Sequence, residues 1–274
     1  MNALSIAKEP LVDALVAEWA SISSLLEELD DAQWDQPTSL PGWTVRDVVA
    51  HLIGTEAMLL GESAPEPPEG ADRPGHVKND IGAFNERWVE ALRAQPPSAV
   101  AERFRSVTAQ RAEALRAMDQ SELDAESWTP AGHATYGRFM QIRLFDCWLH
   151  EQDLRDAVGR PGHEGGPCAE ASIDEVQRAL GFIIGKRAGA PSGSRITIEL
   201  TGGCERTLHV AVDERAAVVP SLDRPATATV RMPSSLFVRL TGGRVDPEGQ
   251  LAAVTVEGDQ DLGRRVATNL AFTI

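Results

Sequence analysis

Apolar side chains in the first 160 residues return every three or four positions. Over residues 9–30 they fall at Leu11, Leu15, Trp19, Ile22, Leu25 and Leu26, the period of one helix face turned to a core. Asp35 to Pro41 is a polar, proline-bearing loop. Thr44 then reads as an N-cap with Asp47 three positions on, in a capping-box arrangement. The helix it opens carries Val45, Val48, Val49, Leu52, Met58 and Leu59. Residues 62–76 (ESAPEPPEGADRPGH) are rich in proline and glycine and predict a loop able to move. A third helical region runs from about Asp80 to Met118, with Pro96-Pro97 as a candidate break. Residues 119–133 read as a connection. A fourth helix runs from about Thr135 to Val158 and stops at Gly159-Arg160-Pro161-Gly162. Four helices joined by loops of mixed length predict a four-helix bundle.

The period changes near residue 160. Residues 159–167 (GRPGHEGGP) predict a linker. One more helix follows, about Ala169 to Arg187. Runs of period-2 alternation then appear at Arg195–Leu200, Thr207–Val212, Ala216–Val219 and Thr227–Met232. A helix begins near Ser234 or Ser235 and ends at Gly242-Gly243. A strand at Ala253–Glu257 and a helix at Asp261–Leu270 close the pattern. This predicts an α+β domain with a mostly antiparallel sheet. The expected division is therefore residues 1–160, helical, and residues 168–274, α+β.

Composition narrows the functional classes. The 274 residues are 42% hydrophobic and 24% charged, the balance of a soluble globular protein with room for two domains. No run of about 18 apolar residues predicts a membrane span. The N-terminus, MNALSIAKEPLVDALVAEW, has no basic region followed by an apolar core, so a cytoplasmic protein is expected. A net charge of −15 argues against nucleic acid or an anionic membrane as partner. Cys147, Cys168 and Cys204 are odd in number and lack CxxC spacing, against thiolate zinc or a disulfide framework. Lys8, Lys78 and Lys186 are the only lysines among 26 basic residues. With abundant alanine and glycine this points to a GC-rich genome. Either a monomer or a homodimer is compatible with the sequence.

The chemistry concentrates in one segment, RLFDCWLHEQDLR. Asp146 and His150 lie four apart, stacked on one helix face. Arg143, Asp146, His150 and Asp153 follow steps of three, four and three, beside the large apolar residues Phe139, Ile142 and Leu149. That mixture is not a solvated face, and buried ionisable groups need partners or a metal ion. His51, on the second helix, is the candidate third ligand. Spacing of this kind also suits a plain ion pair. Two histidines and a carboxylate suit Zn²⁺ with one position left for water or substrate, and equally non-haem Fe(II). His76 and His163 are expected in solvent, and His209 outward from a strand. His133 is a candidate cap or a neighbour of the site mouth. Cys147 points about 100° from Asp146 and reads as a packing residue. No GxSxG, P-loop or strand-borne GxGxxG is present, and Gly202-Gly203 and Gly242-Gly243 read as turns or helix ends.

The string LPGWTVRDVVAHLIG, followed by RxxDxxxHxxDLR, resembles the metal-binding domain of the mycothiol-dependent maleylpyruvate isomerase family, within the wider DinB-like group of four-helix bundles. TATVRMPSSLFVRLTGG and VTVEGDQDLGRRVATNL resemble that family's C-terminal, sterol-carrier-protein-like domain. The resemblance implies a zinc ion held by His51, Asp146 and His150. The isomerase has Glu as its acidic ligand where this chain has Asp146, which bears on metal geometry and identity. Arg143 and Asp153 would then orient the histidine or balance charge. It also implies mycothiol, the small thiol of actinobacteria, as cosubstrate. Zinc would lower the pKa of the bound thiol, and the thiolate would attack a small electrophile. The expected protein is thus a mycothiol-dependent S-transferase or a maleylpyruvate-type isomerase. Two other readings stand beside it. One is a small-molecule or lipid-binding protein with a structural metal closed by a fourth ligand, Asp153. The other is an iron-dependent, sulfur-oxidising bundle, whose usual three-histidine pattern this chain breaks at Asp146. Arg239 and Arg244, near a helix end, are candidates for binding an anionic substrate.

Overall fold

The computed structural model describes residues 6–66 and 74–273. The chain divides into two compact units, residues 1–162 and 163–274. The central part of the proline- and glycine-rich stretch expected as a mobile loop, residues 67–73, lies outside the described residues.

The first unit is helical. Its elements are α1 (Lys8–Glu27), α2 (Asp31–Trp34), α3 (Val45–Leu59), α4 (Asp80–Arg93), α5 (Pro97–Ala117), α6 (Gln120–Leu123), β1 (Glu126–Thr129), β2 (Gly132–Thr135) and α7 (Tyr136–Ala157). Four of these form a ring: α1 packs on α5 and α7, and α3 packs on the same two. This is the expected four-helix bundle, with a correction to its third member. Pro96 and Pro97 separate two helices, since proline lacks the N–H that a continuing helix requires and its ring clashes with the preceding turn. Pro97 instead opens α5, at a position where the missing donor costs nothing. Only α5 enters the ring; α4 lies outside it against α3. The α3–α4 approach is close because residue 54 is glycine. A Cβ there would fall 2.3 Å from Cγ of Trp88.

The connection at 119–133 also holds more structure than expected. Glu126–Thr129 and Gly132–Thr135 pair antiparallel as a hairpin. Thr129 Oγ1 spans its turn, accepting from Ala131 N at 3.1 Å and donating to Gly132 O at 2.8 Å. Gly132 takes φ of 101°, a conformation that favours glycine.

The second unit contains α8 (Pro167–Phe182), a π-helical turn (Ile183–Arg187), β3 (Arg195–Thr201), β4 (Arg206–Val212), β5 (Ala216–Val219), β6 (Ala228–Pro233), α9 (Ser234–Thr241), a 3₁₀ turn (Glu248–Ala253), β7 (Thr255–Gly258) and α10 (Gln260–Thr268). The strand order is β5-β4-β3-β6-β7. Only β3 and β6 run parallel; the other pairs are antiparallel. Ile196 and Ile198 stand between Val210 and Leu208 on one side and Ala228 and Val230 on the other. All six are buried, as period-2 alternation requires of a covered face. Helix α8 packs on β4 and β5, α9 on β3 and β6, and α10 on β6 and β7. This is the expected α+β unit with a mostly antiparallel sheet.

Candidate metal centre

Two helices of the ring bring the predicted ligands together. Helix α3 starts at the predicted cap: Thr44 N donates to Asp47 Oδ2 at 2.9 Å, and Asp47 N donates to Thr44 Oγ1 at 3.4 Å. His51 follows two turns later. Helix α7 is capped by Thr135 Oγ1, which accepts from Arg138 N at 3.1 Å, and it carries Asp146 and His150. His51 Nε2 lies 3.3 Å from Asp146 Oδ2, and His150 Nε2 lies 3.6 Å from Asp146 Oδ1. The two imidazoles meet edge to face with centroids 4.9 Å apart. One donor atom from each of the three residues falls within 4.8 Å of the others. Both histidines are buried; the Asp146 side chain keeps 30% of its surface open.

Polar groups surround these three residues on the buried side. His150 Nδ1 is 2.9 Å from Asp153 Oδ2, and Asp153 Oδ1 accepts from Ser39 Oγ at 3.1 Å. Arg143 reaches Asp146 Oδ2 through Nη1. Its Nη2 and Nε donate to Glu56 Oε1 at 2.9 and 3.1 Å, and Nη2 also faces Cys147 Sγ at 3.4 Å. The other Glu56 oxygen accepts from Arg111 Nε at 3.0 Å, and Arg111 Nη2 meets Tyr136 Oη at 3.0 Å. An ion network thus crosses from α5 through α3 to α7, with Glu56, Arg111 and Arg143 all buried.

This arrangement fixes charge states. Burial lowers the pKa of His51, outweighing the pull of Asp146 toward the charged form, so its imidazole is held neutral. Burial pushes the Asp146 carboxyl up, but Arg143 and then His150 and His51 outweigh it and hold it well below 3.8. Burial pushes the Cys147 thiol up, so it stays protonated and packs, as expected. His51 Nδ1 is buried without a hydrogen-bond partner.

The rim was less legible in the sequence. Trp43 tilts over His51 with ring centroids 5.4 Å apart. Its Nε1 donates to Glu86 Oε2 at 3.1 Å. His76, expected in solvent, instead sits 3.1 Å from that same carboxylate oxygen. Gly42, with φ of 80°, lies against the His76 ring; a Cβ would meet its Nδ1 at 2.9 Å. His133 is not the cap, a place taken by Thr135; it is exposed on β2, opposite Trp128. Arg239 lies on α9 of the second unit, and Arg244 follows that helix, its Nη1 on Gly242 O at 2.5 Å.

Glu56, Arg111, Ser39 and Glu86 were not picked out from the sequence. Two of them leave a signal there. Glu56 continues the apolar series Val45, Val49, Leu52, and Arg111 continues Val100, Phe104, Val107. Each is a charge on a core-facing stripe.

Comparison with known proteins matches this architecture. Residues 15–155 match the mycothiol maleylpyruvate isomerase N-terminal domain, and residues 170–265 match the MDMPI C-terminal domain. The chain belongs to the mycothiol maleylpyruvate isomerase family. Two uncharacterized proteins of Mycobacterium tuberculosis (strains CDC 1551 / Oshkosh and ATCC 25618 / H37Rv) are 27% identical to this family member over 150 residues, 55% of this chain. The match spans 57% of the length of those curated relatives. The crystal structure of the mycothiol-dependent maleylpyruvate isomerase is similar with a TM-score of 0.57 at 17% identity, covering 92% of this chain and 93% of that one. A histidine-to-alanine mutant of the same isomerase gives a TM-score of 0.56 over the same shares. At that identity the likeness to the isomerase concerns the fold. Among the described residues no helix is long and apolar enough to cross a membrane.

Proposed function

We propose that this protein is a metal-dependent enzyme that uses mycothiol as cosubstrate. His51, Asp146 and His150 hold a zinc ion, and the activated thiol isomerises, or is transferred to, a small electrophile. The observation that carries this reading is the convergence of two buried imidazoles and one ionised carboxylate within 4.8 Å. Family membership supplies the thiol.

The donor set fits the ion. Two imidazole nitrogens and one carboxylate oxygen form the half-open shell of a catalytic zinc site. Asp153 takes the Nδ1 side of His150, behind the ring, which leaves Nε2 free and gives the carboxylate–histidine arrangement common around bound metals. The same placement argues against Asp153 as a fourth ligand, and so against a closed structural site. Bound there, zinc would lower the pKa of a thiol on its open position enough to give a thiolate at neutral pH.

The remaining residues hold and insulate. Arg143 spends its donors on Glu56, Asp146 and Cys147, so it positions Asp146 rather than gripping substrate. Trp43 covers the flank of His51 and keeps water from it.

Metal analysis of the purified protein tests the first half, with one zinc per chain expected. Zinc-loaded protein given mycothiol with maleylpyruvate, or with a panel of small electrophiles, should yield a thiol-dependent product or adduct by mass spectrometry. Failure to take up any divalent metal on reconstitution would sink the reading.

A further inference from the structure

Asp153 is buried, at 2% exposure, yet it is fixed from a distant part of the chain. Ser39 belongs to the loop between α2 and α3, 114 residues earlier, and is itself exposed. Its hydroxyl reaches inward to Asp153 Oδ1 at 3.1 Å. The loop that presents it is tied to itself. Thr38 Oγ1 donates to Trp43 O at 2.9 Å and accepts from Leu40 N at 3.2 Å, while Trp43 N donates to Leu40 O at 3.1 Å. Pro37 and Thr44 close its base as a bridge.

An ionised carboxylate only accepts hydrogen bonds. With Oδ1 engaged by the Ser39 hydroxyl, the carboxylate plane is set and Oδ2 lies 2.9 Å from His150 Nδ1. That nitrogen must then carry the proton, and Nε2 turns its lone pair toward Asp146. We propose that Ser39 is a positioning residue which, through Asp153, selects the tautomer and ring orientation of His150 needed for metal binding. The proposal rests on the zinc reading above. The same loop places Trp43 on His51, so one turn of chain braces both histidines.

The test compares wild type, Ser39→Ala and Ser39→Thr as full chains. Ring-nitrogen NMR of His150 in metal-free protein reads the tautomer directly. The Nδ1–H form is expected in wild type and in Ser39→Thr, and a mixture in Ser39→Ala. Zinc affinity, by competition with a chromophoric chelator, should fall about tenfold in Ser39→Ala and recover in Ser39→Thr. The melting temperature should fall by only a few degrees, because one hydrogen bond to Asp153 is lost while the apolar core is untouched. An unchanged tautomer in Ser39→Ala overturns the proposal, as does wild-type zinc affinity in that variant. A wild-type protein that binds no zinc overturns the metal reading instead, and the metal-free spectra then decide the Ser39–Asp153–His150 linkage alone.

Discussion

In the helical unit each ring helix carries a charged side chain on its buried stripe: Glu18 on α1, Glu56 on α3, Arg111 on α5 and Arg143 on α7. The sheet unit is built differently. Its buried side chains are aliphatic residues, Phe237, Met232, Cys168, Cys204 and small polar groups, and Arg195 is the one charged residue buried among those described. Arg195 turns outward to the exposed Asp213 and Asp223. Ion pairs inside a core are weak stabilisers, since the cost of leaving water offsets their attraction. The helical unit carries that cost around His51, Asp146 and His150, and the sheet unit avoids it.

Perturbation can break this contrast at several levels. All six tryptophans, Trp19, Trp34, Trp43, Trp88, Trp128 and Trp148, lie in the helical unit, so tryptophan fluorescence follows that unit, while circular dichroism follows both. The largest effect is expected from His51→Ala or His150→Ala. Each should abolish stoichiometric zinc uptake, seen by metal analysis, with the folded spectrum retained. Next comes Glu56→Ala, which strands two buried guanidinium groups. It should cost about 3–5 kcal/mol in urea unfolding followed by fluorescence; a loss below about 1 kcal/mol would mean that the network does not carry the charge balance.

Acid comes third. The pKa of His51 is lowered in the folded state, so the unfolded chain takes up its proton first as pH falls. Metal-free protein should lose stability from about pH 6.5 downward, by at most about 1.4 kcal/mol per pH unit from this group. The pKa of Asp146 is also lowered, so its contribution is present above 3.8 and is lost in a second, more acidic window. In His51→Gln the first decline should vanish from the fluorescence-detected titration. The smallest effect is expected in the sheet. Ile198→Val should cost about 0.5–1.5 kcal/mol, visible by circular dichroism and insensitive to mild acid.

Much of the fold was legible because it is local. Strands β4 and β6 alternate with period two, and the ring helices repeat every three or four residues, so neighbours in sequence announce them. The candidate triad was also legible. Asp146 and His150 declare themselves by spacing, and His51 by its place on a second helix near the core; the family strings then implied the three as ligands. The hairpin at 126–135 escaped because its strands, ESWT and GHAT, carry one large apolar residue between them, Trp128, and show no alternation. Helix α4 read as part of α5 since both have helical spacing, and only packing reveals which joins the ring. Ser39 and Glu86 escaped because their partners lie 114 and 43 residues away. No pattern in a loop or in an amphipathic stripe encodes such distances. Glu56 and Arg111 were readable in principle, as charges on apolar stripes, but a stripe does not say which charge meets which.

The glycine at position 54 makes the site heritable in an unusual way. A helix interior ordinarily prefers alanine to glycine by about 1 kcal/mol, so drift at such a position favours the larger residue. Here one added methyl would collide with Trp88 and drive α4 outward, carrying Glu86 and Arg93 with it. Glu86 holds the indole of Trp43, and Arg93 holds the capping carboxylate Asp47. A substitution that improves the helix on paper would therefore loosen the wall beside His51 without touching it. Natural variants and engineered consensus sequences of this chain should keep residue 54 fixed for the sake of residues the glycine never contacts.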